Sequence, residues 1–392
     1  MKPPPRKQVP GFFQSRLTTS PLLTTIRAMP TNLIIDAHQD LAWNALTFGR
    51  DYTKSALATR QAESNNSAPS HNGNSLLGLG DYLLGHVAVI FGTLYASPTR
   101  HKMGEWDRLS YADSGQAHRF YLQQLDYYHQ LTDTCPSFKL IGDRGDLEQV
   151  LDSWSAADLE NRRVGLVPLM EGADAIREPQ EAEWWMERGV RIVGLAWAAT
   201  RYAGGTGEPG PLTPEGRRLL GVLADLGLIL DLSHASDESF LEALDLFEGV
   251  VIASHANPRA VLKGNVRRPE RFLSDEMIRR LAARGGVTGI VPYNRFLKAD
   301  WAESDGKNAV TLTEVTAMID HVCQVAGSAD HVAIGSDFDG GFGVESVPAE
   351  IDTAADLGLI GAALKECGYT EADVEKVMSG NWLNILRRGL PA

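Results

Sequence analysis

Cysteine is scarce in this sequence. Cys135, Cys323 and Cys367 are the whole supply in 392 residues. They are too few and too scattered for a disulfide framework, and no Cys-x-x-Cys pair offers a redox or structural zinc site. A reducing, cytoplasmic setting is therefore expected. No apolar run approaches the roughly 18 residues that a bilayer-crossing helix needs, so no membrane span is expected. The early stretch GFFQSRLTTSPLLTTIRAMP carries polar residues throughout and lacks the continuous apolar centre of a signal peptide. Positive charge is in deficit as well: 37 Lys and Arg stand against 50 Asp and Glu, a net charge of -13. That balance argues against nucleic acid or an anionic membrane as partner, because both reward clustered Lys and Arg. Also missing are a G-x-x-x-x-G-K-[ST] loop, a G-x-S-x-G elbow, a G-x-G-x-x-G turn after a strand and an H-E-x-x-H helix. Nucleotide-driven, serine-nucleophile and zincin chemistries start without support.

What the chain does have is apolar material, 43% of its residues, arranged in a repeating pattern. Residues 1–30 read as a weakly ordered tail, with Met29 as an alternative start. From residue 33 onward, short runs rich in Val, Ile and Leu alternate with longer amphipathic stretches, as in repeated βα units around a parallel sheet. The runs are 33–37, 87–94, 164–170, 190–196, 228–233, 250–254, 287–292 and 332–336. Eight strands with helical connectors predict an α/β fold of the (β/α)8 TIM-barrel type in one domain, residues 31–392, with a doubly wound open sheet as the alternative. Two stretches stand outside the pattern. Residues 51–80, polar and rich in Ser, Asn and Gly, read as a long and partly mobile loop. Residues 200–215, rich in Gly and Pro, read as a second insertion. Both are candidate lids over the face where barrel active sites form.

Side chains able to bind a metal fall at one edge of this pattern. His38 and Asp40 follow the first run, Glu171 the third, His234 the fifth, His255 the sixth and Asp337 the eighth. In a barrel the carboxyl ends of the strands converge on one face, so these distant residues become neighbours there. His38 and Asp40, two apart on an extended segment, point the same way and can grip one cation. Glu171 ends an apolar strand, where a carboxylate is costly unless positive charge is near. A bridging position between two metals would supply that charge; a salt bridge to an arginine is the plainer reading. His234 and His255, each preceded by Ser, suit Zn²⁺ as neutral imidazoles, though a single histidine so placed is more often a satisfied core residue. Two cations would acidify a shared water, and Asp337 would orient it and carry its proton to a leaving amine. Asp339 is the less favoured candidate for that work and is expected to fix the loop. Glycines 335, 340 and 341 let the backbone turn and approach the site. An EF-hand reading of DFDGG fails, since the glycine comes too early and no loop-ending Glu is in register.

The ordered set His38-x-Asp40, Glu171-Gly172, Ser233-His234, Ser254-His255 and Gly335-Ser336-Asp337-Phe338-Asp339-Gly340 resembles the membrane (renal) dipeptidase family of metallopeptidases, including its bacterial soluble relatives. The similarity runs from about residue 33 to SGNWLNILRR near the end. It implies an amidohydrolase-type barrel, two zinc ions and hydrolysis of dipeptides, some with a D-residue second. By resemblance, His38 and Asp40 bind one zinc, His234 and His255 the other, Glu171 bridges and Asp337 is the acid/base. The family's carboxylate-binding arginine falls at Arg271, counted back from FLSDEMI, with Arg268 as its competitor. Trp197 and Tyr293 complete the expected substrate-binding residues. Trp197 is a departure, because many members carry there a histidine that polarises the scissile carbonyl. The expected partner is a small dipeptide-like substrate, with a homodimer suggested by relatives. A different amide or ester hydrolase, or a metal-binding relative without turnover, are the competing readings. The first commonly uses a modified lysine as bridge on the fourth strand, and this strand has no Lys.

Overall fold

The computed structural model describes residues 33–155, 161–264 and 266–392; the tail at 1–30 and Met29 lie outside the described residues. Among the described residues nine strands occur in chain order: β1 (Ile34–Gln39), β2 (Val87–Leu94), β3 (Phe138–Leu140), β4 (Val164–Met170), β5 (Ile192–Gly194), β6 (Ile229–Asp231), β7 (Val251–Ile252), β8 (Thr288–Ile290) and β9 (Val332–Ile334). All their pairings are parallel. The order around the sheet is β7-β6-β5-β4-β2-β1-β9-β8, and a parallel bridge from Ala253 to Thr288 links its two edges. Eight strands thus form a nearly closed barrel, and the open-sheet alternative falls. Seven of the eight apolar runs contain one of these strands, and the first, 33–37, overlaps β1, which extends past it to Gln39. β3, which pairs with β4 off the main path, was not expected: FKL is too short and too mixed to carry a period-two signal.

The strands form because their residues are apolar on both faces, the composition of a sheet covered on each side. Every residue of β2 and β4 is buried. Alternate residues enter different apolar clusters, Ile34 and Leu166 one, Ile35 and Val167 the other. Each fully buried aliphatic side chain contributes roughly 1.5–3 kcal/mol. The closing helix Asn381–Gly389 belongs to the second cluster through Trp382, Ile385 and Leu386. Trp382 Nε1 donates to Ile334 O at 2.8 Å, and Asn381 Nδ2 donates to Ala329 O and Val332 O. This docking on β9 gives the terminal SGNWLNILRR segment its physical role. Among the described residues no helix is long and apolar enough to cross a membrane, and the three cysteines are free.

The stretch 51–80 corrects the sequence reading. It folds into the helices Ala56–Glu63 and Ala68–Asn72 and the start of Leu79–Gly85. Some of its polar residues are tied within the fold: Ser55 caps the first helix through Ala58 N, and Asn72, Ser75 and the Leu76 amide all bond to Asp339. Composition alone does not distinguish a solvated loop from one whose polar groups are paired. Residues 200–215 are irregular up to the helix Pro214–Asp225 and are pinned by bridges Ala199–Gly204, Ala203–Leu212 and Gly205–Ala235.

Candidate metal centre and cavity

Barrel closure brings His38, Asp40, Glu171, His234, His255 and Asp337 together at the carboxyl ends of β1, β4, β6, β7 and β9. The loop after β9 is fastened to the end of β1, with Asp337 N donating to His38 O at 3.0 Å and Phe338 bridging Gln39. His234, Asp337 and Asp339 adopt φ of 65°, 57° and 63°, a left-handed backbone uncommon outside glycine. The sharp turn expected of the loop's glycines is taken by Gly341, at φ 91°, together with the two aspartates. Gly335 and Gly340 serve close approach instead, since a Cβ would lie 1.8 Å from Ser254 O at the first and 2.1 Å from Asp337 Oδ1 at the second.

Glu171 is central. Its Oε2 lies 3.6 Å from His38 Nε2, and its Oε1 lies 3.0 Å from His234 Nε2 and 3.5 Å from His255 Nε2. His38 Nε2 also faces Asp40 Oδ2 and Asp337 Oδ1, both at 3.9 Å. Candidate metal groups are His38, Glu171 and His255, and His38, Asp40 and Asp337, so His38 is common to both. His234 stands beside them, 2.9 Å from His255 Nε2.

Hydroxyl groups set the histidine tautomers. Ser254 Oγ donates to Asp231 Oδ2 at 2.5 Å, which leaves it to accept from His255 Nδ1 at 2.8 Å. Thr206 Oγ1 donates to the His234 carbonyl at 3.3 Å and so accepts from Nδ1 at 3.1 Å. Both rings then present a bare Nε2 toward Glu171, the form a metal requires. Thr93 Oγ1 donates to Asp40 Oδ1, and Ser336 and Gln39 donate to Asp36, tying β1 to β9. Of these supports, Ser254 and Ser336 were visible in the sequence as the residues before His255 and Asp337. Asp231, Thr206, Thr93 and Asp36 were missed; Asp231 and Thr93 lie at or near the ends of β6 and β2, whereas Asp36 lies inside β1 and Thr206 in the 200–215 insertion.

The electrostatics fit cations. Burial, then His38 and Arg271, lower the His255 and His234 pKa values, that of His234 to about 4, so both are neutral. Burial works against charge on His38, but Glu171, Asp40 and Asp337 outweigh it and hold its pKa up at about 9. Burial raises Asp40 to about 7 with help from Glu171, and raises Asp337 well above the carboxylate range beside Asp40 and Glu171. Glu171 is pushed up by burial, yet His38, His234 and His255 hold it well below its usual range. Two bare imidazole nitrogens 2.9 Å apart, three carboxylates and a buried His38 Nε2 without a hydrogen bond form a donor set that suits divalent metal.

The centre opens into a cavity of about 800 Å³. Arg271 reaches it buried at 6% exposure, with Nη1 donating to His255 O at 2.8 Å and Nη2 without a partner among the described residues. Arg268 is exposed at the rim, with φ 52°. Trp197 lines the cavity 6.2 Å from the His234 ring, and Tyr293 lines it while stacking on Phe342 at 4.2 Å. Residues 200–215 contribute Thr206 and Gly207 to the lining. No residue of 51–80 lines it; that insertion bonds to the Asp339 loop instead.

A family model described as membrane dipeptidase (peptidase family M19) matches residues 25–389. An uncharacterized protein from the pqqA 5' region of Klebsiella pneumoniae is 31% identical over 247 residues, 59% of this chain and 86% of its own length. A dipeptidase of Claviceps purpurea is 30% identical over 209 residues, 51% of this chain but only 44% of the fungal protein. Among solved structures, a metallopeptidase named dipeptidase AC superposes with a TM-score of 0.73 at 23% identity, over 92% of this chain and 100% of its own. A metallopeptidase from Rhodobacter sphaeroides, liganded with a phosphinate mimic of L-Ala-D-Ala, gives 0.70 at 22% identity, over 92% and 99%. At these identities the superpositions speak to the fold.

Proposed function

We propose that this chain, which belongs to the membrane dipeptidase family (peptidase family M19), hydrolyses the peptide bond of small dipeptides with two divalent cations, zinc by preference. His38 and Asp40 would hold one, His234 and His255 the other, and Glu171 would bridge them. The observation that carries this reading is the posture of Glu171, whose two oxygens face the two ligand groups separately. Bound there, the metals supply Lewis-acid polarisation of a carbonyl and acidification of water.

The protein's own groups do the rest. Asp337 accepts the proton of the attacking water and returns it to the leaving amine, a role its position 3.9 Å from His38 Nε2 supports. Arg271 keeps Nη2 for the substrate's terminal carboxylate, while Nη1 anchors the guanidinium to the loop carrying His255. Arg268, at the rim, is the lesser contributor. Trp197 and Tyr293 flank the substrate. The D-Ala of the mimic held by the Rhodobacter protein supports a D-residue at the second position. The free cysteines fit a cytoplasmic enzyme, and we extend the reading to a homodimer, which light scattering tests.

Trp197 favours a second reading, a metal-binding relative without turnover. Zinc-loaded protein mixed with L,L- and L,D-dipeptides decides: amino-acid release supports the dipeptidase, and no release from any member supports binding alone. About two zinc ions per chain are expected.

A further inference from the structure

Two residues that line the cavity, Tyr95 and Trp43, carry buried hydrogen-bond donors, Oη and Nε1, that have no partner among the described residues. Neither belongs to the ligand set. Tyr95 directly follows β2, which lies between β1, the strand of His38, and β4, which ends on Glu171. Its backbone is clamped by Gln124, whose Oε1 accepts from Tyr95 N at 2.9 Å and whose Nε2 donates to Tyr95 O at 2.6 Å. Its ring sits edge-on to Trp43 and Trp197, with centroids 5.9 and 5.1 Å away. The hydroxyl is therefore fixed in place and unbonded, a condition that costs about 1–3 kcal/mol until something pairs with it.

The chemistry of this wall selects the partner. Burial, reinforced by Glu171 and Asp107, holds the Tyr95 phenol well above the usual tyrosine range, so Oη keeps its proton. An indole N–H can only donate. A phenol that keeps its proton and an indole that only donates suit an acceptor oxygen. With the terminal carboxylate of a dipeptide assigned to Arg271, the acceptor left is the carbonyl oxygen of its scissile amide.

We propose that Tyr95 is a catalytic residue that donates a hydrogen bond to the scissile carbonyl oxygen. The inference rests on the dipeptidase reading. Water addition forms a C–O bond and moves the carbonyl π pair onto that oxygen. Collapse returns the pair as the C–N bond breaks, and the amine leaves with the proton carried by Asp337. The Tyr95 bond strengthens while the oxygen bears charge, so it lowers the barrier more than it aids binding.

The test compares wild type with Tyr95→Phe, both zinc-loaded, on L-Ala-L-Ala and L-Ala-D-Ala, with zinc content, melting temperature and calorimetric affinity for a phosphinate dipeptide mimic measured alongside. Expected are a kcat lower by about 100-fold, a nearly unchanged KM, unchanged zinc and a matching loss of phosphinate affinity. An unchanged kcat at normal zinc content, or an effect confined to KM, overturns the role. Should the Phe variant fail to fold, 4-fluorophenylalanine at position 95 keeps a para substituent that cannot donate and gives the same comparison. Wild type that cleaves no dipeptide sinks the dipeptidase reading itself, whereas an active wild type with an unaffected variant sinks only the role of Tyr95.

Discussion

Asp231 governs the His255 ring through one hydroxyl: Ser254 Oγ lies 2.5 Å from Asp231 Oδ2 and 2.8 Å from His255 Nδ1. The carboxylate takes the serine proton, the serine oxygen takes the imidazole proton, and Nε2 is left bare. Ser254→Ala cuts this relay without touching the ligand atoms. Zinc affinity is expected to fall by about 10- to 100-fold, read by chelator competition, with kcat recovering at saturating zinc. Unchanged zinc affinity would remove the relay from the account.

Asp337→Asn keeps the shape of the side chain and removes its capacity to carry a proton. We expect kcat to drop by at least about 100-fold, with zinc content unchanged by elemental analysis. Retained turnover would shift proton transfer to another group.

The two arginines separate by burial. Arg271→Ala should raise KM by about 10- to 100-fold, the worth of a hydrogen bond to a charged group, roughly 1.5–3 kcal/mol. Arg271→Lys recovers only part, since a lysine lacks the guanidinium fork. Arg268→Ala should leave KM within about twofold, as befits an exposed rim charge. Steady-state kinetics on one dipeptide ranks all three.

Asp339 acts on stability instead of chemistry. It accepts from Tyr52 Oη, Ser75 Oγ and Leu76 N and lies 3.0 Å from Arg50 Nη1, with both side chains fully buried. Asp339→Ala strips a buried guanidinium of one of its two carboxylates and is expected to cost about 3 kcal/mol, measured by urea denaturation of the zinc-loaded protein.

A smaller effect tests the pH dependence. Partial burial pushes Asp146 up, but Lys139 Nζ at 2.7 Å and the Gly142 amide outweigh it and hold its carboxyl below the usual range. A depressed folded-state pKa gives stability that is present above the unfolded value, about 3.9, and is lost as pH falls through the folded one. Asp146→Asn should therefore be less stable at pH 7, by about 0.2–1 kcal/mol for a half-buried surface pair. The difference from wild type should narrow as the pH falls below the unfolded value and through the depressed folded one.

The barrel was legible because its signal is local. Each apolar run marks a strand buried on both faces, and the polar residue just past it marks the mouth. β3 escaped because Lys139 interrupts FKL, so no apolar run marks it. The helices within 51–80 escaped for a different reason, since Asn72 and Ser75 look like solvent-facing residues until Asp339 arrives from the far end of the chain.

Sequence alone determined which donors crowd the rim, because strand periodicity and chain order oblige His38, Asp40, Glu171, His234, His255 and Asp337 to end on one face. Tertiary structure alone decided how each is held. Ser254 reaches Asp231, Thr206 reaches His234, and Tyr95 is left with a free hydroxyl only when strands distant in the chain are packed side by side. A hydrogen bond depends on distance and direction to within fractions of an ångström, and those are set by closure of the barrel, which no local stretch of residues encodes.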